Sequence, residues 1–192
     1  MDLKETLLKK TVGIAGCGGL GSNCAVALAR VGVGKLIIAD FDIVVESNLN
    51  RQYFFYNQIG KKKCDALKEN ISLINPFIEV SAYDIKLDPE SIIRLFSSCD
   101  VIVEAFDLAQ MKQMIIETVL TQLPKIPIVS GIGLAAWGNS NSLHVEKSNQ
   151  LIICGDQLTE VSESLPPLAP RVGIVANMQA NEILEILLGK II

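Results

Sequence analysis

The chain has 192 residues, with 17 Lys and Arg against 21 Asp and Glu and a formal net charge of −4 at pH 7. This length predicts a single domain over residues 1–192 with a sizeable core. The acidic balance argues against a nucleic-acid-binding surface. The longest apolar runs are far below the roughly 18 residues that a membrane-spanning helix needs, so we expect no contact with a membrane.

The cysteine content favours the cytoplasm. The five cysteines form no C-x-x-C pair and their number is odd, which argues against a disulfide framework or a four-cysteine zinc site. The N-terminal ten residues are charged and lack the apolar core of a signal peptide. We therefore expect a cytoplasmic location.

The first 31 residues predict a strand, a glycine turn and a helix. Residues 2–10 can form one or two helical turns, and the apolar run Thr11–Ala15 is typical of a buried strand. Helical periodicity follows from about Gly19 to Val31 and ends at Gly32.

The turn predicts a phosphate site. Gly16, Gly18 and Gly21 have G-x-G-x-x-G spacing, with Gly19 and Leu20 between them. Glycine permits backbone angles that other residues avoid, and a loop without side chains lets a phosphate approach the amides. The helix that follows directs free N–H groups and its positive dipole end at that phosphate.

Strands and helices alternate through the next hundred residues. The further predicted strands are Lys35–Ala39, Ile78–Tyr83, Asp100–Ala105 and Ile126–Gly131. The predicted helices cover 61–73, 89–96 (capped by Asp88) and 108–123. This alternation predicts an α/β, Rossmann-like doubly wound fold with a mostly parallel sheet.

The pattern changes after Gly133. Leu143–Val145 and Leu151–Ile153 predict a short antiparallel extension of the sheet near the C-terminus. A long loop over Gly155–Pro170 precedes a last helix over Arg171–Leu188. A loop of this length in a compact domain is usually functional or disordered.

Acidic residues follow two of the predicted strands. Asp40 ends the second strand, 19 residues after Gly21, where a carboxylate can bind ribose hydroxyls. Asp107 follows the strand that begins at Asp100. With a 3-2-1-4 strand order, these carboxylates and the glycine loop converge on one crevice at the carboxyl ends of the strands.

Cationic residues point to phosphate chemistry. Arg51 lies in a polar loop over Glu46–Asn57, and Lys61, Lys62 and Lys63 follow Gly60 at a helix start. Cations there oppose the helix dipole, so they are either solvated or offset by a nearby anion. An Arg, a Lys and an Asp beside a phosphate loop favour metal-assisted phosphoryl or nucleotidyl transfer.

Four motifs together resemble a known family. They are GCGGLGSN, ADFD, SNLNRQ and the lysine that follows Gly60. The chain is similar to the ThiF/MoeB/HesA adenylyltransferases, relatives of ubiquitin-activating enzymes, and most like a compact ThiF-type sulfur carrier protein ThiS adenylyltransferase. The likeness covers nearly the whole chain, including the last helix.

The resemblance implies ATP-dependent adenylation of the C-terminal glycine of a small ubiquitin-like sulfur carrier such as ThiS, with release of pyrophosphate. It further implies a role in thiamine biosynthesis, a requirement for Mg²⁺, and a homodimer whose candidate surfaces are the last helix and a sheet edge. The carrier would end in Gly-Gly.

The same resemblance implies roles for individual residues. Asp40 would bind ribose, Asn48 and Arg51 would contact the phosphates, and Gln52 would support the site. Lys63, the third residue after Gly60, would be the phosphate-binding lysine.

Asp107 stands where the family has an aspartate that binds Mg²⁺, so Arg51, Lys63 and Asp107 are the predicted catalytic residues. Asp42 is either a secondary ribose or metal contact or a solvated loop residue.

The chain departs from the family at several places. No arginine precedes the first strand, and the usual Thr-Asp-Asn is replaced by Phe106-Asp107-Leu108. Cys17 lies at a helix N-terminus, where a thiol pKa can fall, or is simply a small side chain in a tight turn. Cys154 is the nearest thiol to the long loop.

Two alternative functions remain at this stage. An NAD-dependent oxidoreductase would account for the three glycines and Asp40 alone. A catalytically degenerate carrier-binding module would account for the missing N-terminal arginine and the loop without a cysteine.

Overall fold

The structure is a computed structural model that describes residues 2–189. Over this range the strands are β1 (Thr11–Ala15), β2 (Lys35–Asp40), β3 (Glu79–Asp84), β4 (Val101–Glu104), β5 (Ile128–Gly131), β6 (His144–Ser148) and β7 (Leu151–Gly155). The α-helices are α1 (Leu3–Leu7), α2 (Gly19–Val31), α3 (Lys63–Ile74), α4 (Pro89–Phe96), α5 (Ala109–Gln122) and α6 (Ala169–Leu188).

The strands form one sheet in the order β3-β2-β1-β4-β5-β7-β6. All neighbouring strands pair in parallel except β6 and β7, which pair antiparallel. The predicted fold class and its antiparallel extension are therefore confirmed, and the strand order includes the 3-2-1-4 arrangement on which the expected convergence of Asp40, Asp107 and the glycine loop depends. This order places the ends of β1, β2 and β4 side by side.

The sheet is buried on both faces because side chains of consecutive strand residues point to opposite sides. In β2, Leu36 and Ile38 pack in a core with α2, α3 and α6, whereas Ile37 and Ala39 pack in a second core with α4 and α5. Two helical layers thus enclose the sheet, which leaves its carboxyl edge for a ligand.

Most predicted boundaries shift by one to three residues, and three of these shifts have a clear local reason. β5 begins at Ile128 and not Ile126, since Pro127 has no amide to donate to a ladder. α3 begins at Lys63 and not Lys61, because the Lys61 carbonyl accepts from Val44 and holds this segment extended. α6 begins at Ala169, two residues before the predicted start, with Pro170 in its first turn, where proline is favoured.

None of the helices within residues 2–189 combines the length and apolarity that crossing a membrane requires.

The long loop before α6 is held at its start by a buried ion pair. The Asp156 carboxylate lies 2.6 Å from Arg171 Nη2, and the other terminal nitrogen of Arg171 donates to the Gly138 carbonyl at 2.7 Å. Both partners are at least nine-tenths buried. The pair therefore joins the loop after β7, the loop after β5 and the first turn of α6.

The environment of Asp156 lowers its pKa. Burial acts to raise this pKa, but hydrogen bonds from the hydroxyl and amide of Thr159 and the amide of Leu158, together with the Arg171 charge, outweigh it. The pKa falls from its ordinary 3.8 to about 2. Because the folded-state pKa is depressed, the stabilisation is present above about pH 4 and is lost as the pH falls through 2.

We expect Asp156→Asn to lower the free energy of unfolding by about 3 kcal/mol at pH 7, since it leaves Arg171 buried without a counter-charge. Urea unfolding between pH 2 and pH 7 measures this difference, which should shrink below about pH 4. Glu160→Gln, an exposed change in the same loop, is the matched control and should have little effect. A constant difference across the pH range would contradict this account.

Candidate functional site

The glycine loop lies between the ends of β1 and β4. Gly16 has a φ of +96°, and a Cβ at this position would lie 2.9 Å from the Ala105 carbonyl oxygen. A Cβ at Gly21 would lie 1.8 Å from the Gly16 carbonyl oxygen. No side chain fits at either position, so the loop stays close to the strand ends and leads directly into α2.

The other loop residues have two roles: some present backbone amides, and one packs its side chain in the core. Gly18 immediately precedes α2, whose first residue is Gly19, so this segment presents the free amides of a helix N-terminus. The Leu20 side chain is only 4% exposed and packs beside Gly131. Leu20 was predicted to bind the nucleotide, and its position leaves that role to its backbone.

Asp40 connects β2 to the glycine loop. One carboxylate oxygen accepts from the Cys17 amide at 2.6 Å, and the other accepts from the Asp42 amide at 2.8 Å. The residue is 9% exposed. Because an ionised carboxylate has about four acceptor positions, Asp40 retains capacity for a ribose hydroxyl.

Two residues that the sequence analysis did not single out attach the polar loop to α2. The Ser22 hydroxyl accepts from the Tyr53 amide at 2.9 Å, and the Asn23 side chain donates to the carbonyl oxygens of Gly19 and Arg51 at 2.7 and 2.9 Å. Their signal was the Ser-Asn pair that ends GCGGLGSN, which lies in the first turn of α2.

Arg51 lies against the first turn of α2. A Cβ at Gly19 would be 3.7 Å from its Cγ. Its Nη1 donates to the Ser47 carbonyl at 3.0 Å and to the Asn50 side chain at 2.8 Å. Since a guanidinium has five N–H donors, others remain for phosphate oxygens.

Gln52 offers an acceptor beside the glycine loop. Its Nε2 lies 3.7 Å from the position of a Cβ at Gly18. Its Oε1 is buried and, within the described part of the chain, has no hydrogen-bond partner. A buried acceptor without a donor is unusual in a native protein, and a nucleotide hydroxyl or amine would satisfy it.

Asn48 is buried in the turn that begins this polar loop. Its side-chain oxygen accepts from the Val45 amide at 3.1 Å, which closes the turn. Its side-chain oxygen therefore holds the loop conformation, and its amide group is the part left for a phosphate contact.

The three lysines have separate environments. Lys61 pairs with Glu69 at 2.8 Å and Lys62 pairs with Asp84 at 3.1 Å, and both lysines are more than 40% exposed. Lys63 has a side chain only 8% exposed, and its Nζ lies 2.7 Å from Asp42 Oδ2. Lys63, which the family resemblance selected, is the buried lysine of the three, and Asp42 is its counter-ion.

Asp107 lies in the exposed turn after β4. The preceding Phe106 has a ring carbon 3.4 Å from the position of a Cβ at Gly16, so this turn packs on the glycine loop. Among residues 2–189 no cluster of three or more His, Cys, Asp or Glu could hold a metal. A single carboxylate fits Mg²⁺, which takes its other ligands from phosphates and water.

The cysteines near the site are buried thiols. Burial, and then the adjacent Asp40 carboxylate, raises the pKa of Cys17 well above its ordinary value, in spite of the helix N-terminus. Burial also raises the pKa of Cys154 to about 12. Cys17 therefore acts as a small side chain in a tight turn, and neither thiol is activated as a nucleophile.

The site includes a buried pair that the sequence analysis missed. Glu104 ends β4 with a fully buried carboxylate, 2.8 Å from the Nζ of Lys112 in α5. The signal was a glutamate that ends an otherwise apolar strand, Val101–Glu104. The pair lies in the same row of strand ends as Asp40 and the glycine loop.

The chain is similar to one described family and to known proteins. The model described as the ThiF family matches residues 1–191. Adenylyltransferase and sulfurtransferase UBA4 of Eremothecium gossypii is 33% identical over 183 residues, which cover 92% of this chain and 41% of that protein. Molybdopterin-synthase adenylyltransferase of Escherichia coli is 28% identical over 195 residues, 98% of this chain and 77% of that protein.

Solved structures share the fold. E. coli tRNA N6-threonylcarbamoyladenosine dehydratase TcdA in complex with AMP has a TM-score of 0.87 at 20% identity, covering 97% of this chain and 89% of that one. E. coli MccB with ATP has a TM-score of 0.73 at 22% identity, covering 96% and 57%. This chain spans less than half the length of its UBA4 relatives.

We expect Gly21→Ala to destabilise the protein by about 1–3 kcal/mol, because the new methyl group meets the Gly16 carbonyl oxygen and the backbone must move. The same movement should weaken ATP binding. Urea unfolding and equilibrium ATP binding measure the two effects. Gly173→Ala is the control, since no atom lies within 4 Å of its Cβ position and alanine favours the helix. Equal behaviour of the two variants would contradict the packing argument.

Proposed function

Because the chain belongs to the ThiF family, we propose that it is an ATP-dependent adenylyltransferase whose substrate is the C-terminal glycine carboxylate of a small ubiquitin-like sulfur carrier protein. The product would be a carrier acyl-adenylate, with pyrophosphate released.

One observation carries this proposal. A glycine loop at a helix N-terminus, a half-buried arginine and an exposed aspartate lie at the carboxyl ends of β1, β2 and β4 or in the loops that follow them, and a buried lysine begins α3 after the loop from β2. Arg51 and Lys63 supply positive charge for phosphate oxygens, and Asp107 supplies a carboxylate for a metal ion, so these three residues suit a triphosphate. An oxidoreductase would instead need a group that transfers a proton beside the hydride.

The relatives support the same activity. The curated relatives carry the name adenylyltransferase, and two structural neighbours were solved with ATP. In its finer form the proposal names a ThiS-like carrier that ends in Gly-Gly, and thiamine biosynthesis in the cytoplasm. Residues 1–192 would act as one adenylyltransferase domain, which the single continuous sheet supports.

The reaction needs no protein nucleophile. The carrier carboxylate is already ionised at neutral pH and attacks the α-phosphorus in line. A carboxylate oxygen–phosphorus bond forms as the bond from phosphorus to the β-phosphate oxygen breaks, and the electron pair leaves on pyrophosphate. The task of the protein is to align the two reactants and to stabilise charge on the phosphate oxygens.

The described residues divide that task. The amides at the start of α2 and the free donors of Arg51 would bind phosphate oxygens. The Lys63 ammonium would move from Asp42 to the phosphates as they enter, because it is held there by a single carboxylate. Asp107 would hold Mg²⁺, which supplies positive charge to the phosphates when bound.

We expect ATP–pyrophosphate exchange that depends on Mg²⁺ and on a carrier ending in Gly-Gly. Arg51→Ala and Lys63→Ala should each lower turnover by about 10²-fold, with a smaller loss of ATP affinity, because the leaving-group charge develops in the transition state. Exchange is measured with labelled pyrophosphate and three carriers, of the thiamine type, the molybdopterin type and one other thiolation type. Mass analysis of the carrier tests for added AMP.

Lys61→Ala is the control for this experiment, since Lys61 is an exposed neighbour that pairs with Glu69, and it should behave like the wild type. Equal losses of turnover and ATP affinity would mean that Arg51 and Lys63 bind only the ground state. A folded protein that binds ATP but gives no exchange with any carrier would overturn the proposal in favour of a binding module.

We also propose a homodimer that uses the exposed face of α6. An open groove of about 660 Å³ runs along this helix and is lined by apolar side chains that include Val145, Ile174 and Met178. Light scattering should give a mass of about twice 20.8 kDa. Ile174→Glu, which places a charge on this face, should shift the mass towards the monomer, and Glu160→Gln should not. A monomeric wild type would refute this part.

A further inference from the structure

The carboxylate of Glu104 is completely buried at the carboxyl end of β4. A carboxylate in such a place is costly unless charged and hydrogen-bonding partners surround it. Many strand-terminal positions that face a core hold an apolar residue instead, as Ala15 does at the end of the neighbouring β1. A buried carboxylate at this position therefore indicates that its partners have a structural or functional role.

The partners of Glu104 come from three different segments. Its Oε1 accepts from the Phe106 amide at 2.7 Å. Its Oε2 accepts from Lys112 Nζ at 2.8 Å and from the Ser130 hydroxyl at 2.5 Å. Lys112 also donates to the Gly131 carbonyl at 2.9 Å. The carboxylate thus links β4 to its following turn, to the start of α5 and to the end of β5.

The backbone of Glu104 is fixed as well. The side-chain nitrogen of Gln179, from α6, donates to the carbonyl oxygens of Glu104 and Val129, at 3.1 Å each. Gln179 is fully buried. The end of β4 is therefore held from the α6 side by an amide and from the α5 side by an ammonium.

These contacts hold the turn that carries Asp107 from two sides. On one side, the Ala105 carbonyl and the Phe106 ring pack against Gly16 of the glycine loop. On the other, the Phe106 amide is bound by Glu104, and α5 begins only two residues after Asp107 and is anchored by Lys112. Asp107 itself is exposed, so its position depends on the turn around it.

We propose that the Glu104–Lys112 ion pair positions the β4–α5 turn and thereby fixes the position of Asp107, the residue that would hold Mg²⁺. Glu104 and Lys112 are positioning residues for the adenylation reaction, and this inference rests on the proposed function. An apolar pair could fill the same space, but it would give the Phe106 amide no acceptor.

Replacing the ion pair by an apolar pair therefore tests the proposal. Glu104→Leu combined with Lys112→Met removes both charges together and leaves no unpaired ion, so the double variant should fold, with a loss of stability limited to the Phe106 amide and the Ser130 hydroxyl that lose their acceptor. It should raise the Mg²⁺ concentration for half-maximal exchange by about tenfold, with the KM for the carrier unchanged. Lys112→Arg keeps the positive charge and should retain most of the wild-type response.

A second readout does not depend on activity. Hydrogen–deuterium exchange of the amides of residues 105–108 should be about tenfold faster in the double variant, because the turn opens without the carboxylate. Glu104→Gln, which keeps the side-chain volume, is the variant to use if the double variant does not fold, and it should shift both readouts in the same direction. Glu117→Gln, exposed on the same helix, is the control.

The outcomes separate the two proposals. Faster amide exchange at the turn together with a higher Mg²⁺ requirement supports the positioning role. A stable variant with wild-type Mg²⁺ response or wild-type amide exchange at the turn overturns it, because the pair would then serve only to fill the core. A wild-type protein without exchange activity contradicts the proposed function, while the hydrogen–deuterium measurement still tests the turn.

Discussion

The close approach of the glycine loop to the strand ends is the constraint on which the rest of the site depends. The carbonyl oxygens of Gly16 and Ala105 occupy the space that side chains at positions 21 and 16 would fill. This contact brings the start of α2 next to the turn after β4. The polar loop is then attached to the same helix through Ser22 and Asn23, so that Arg51 reaches the same crevice.

Charge in the crevice is arranged in pairs. Lys63 is matched by Asp42, and Lys112 is matched by Glu104, whereas Asp40 is bound by backbone amides. The two pairs differ in burial: Asp42 is half exposed and Glu104 is fully buried. An incoming phosphate can compete for the lysine of the exposed pair, while the buried pair has no route to solvent for its carboxylate. One pair thus suits substrate binding and the other suits support of the fold.

The position of the long loop before α6 follows from the same principle. Arg171 is a cation in the first turn of a helix, where the dipole disfavours it, and Asp156 supplies the compensating charge. This buried pair holds the loop start against the loop that follows β5. The loop after β7, the loop after β5 and the first turn of α6 are therefore joined by a charged contact.

The sequence by itself determined the strand–helix alternation, the glycine turn and the family, whereas the strand order came from the structure. Local patterns carry this information, because apolar periodicity and glycine spacing act over a few residues. It could not separate Lys63 from Lys61 and Lys62 by periodicity, since all three have the same local context and the motif alone selected one. It also could not show that Leu20 faces the core.

Only the tertiary structure decided which charges are paired and which thiols are inert. Glu104 meets Lys112 and Ser130, and Asp156 meets Arg171, across sequence separations that no local pattern spans. Burial raises the pKa of Cys17, where the helix N-terminus alone had suggested the reverse. The glycine loop thus marks the proposed nucleotide site in the sequence, while the residues around it come together only when the sheet forms, because their interactions depend on packing between distant segments.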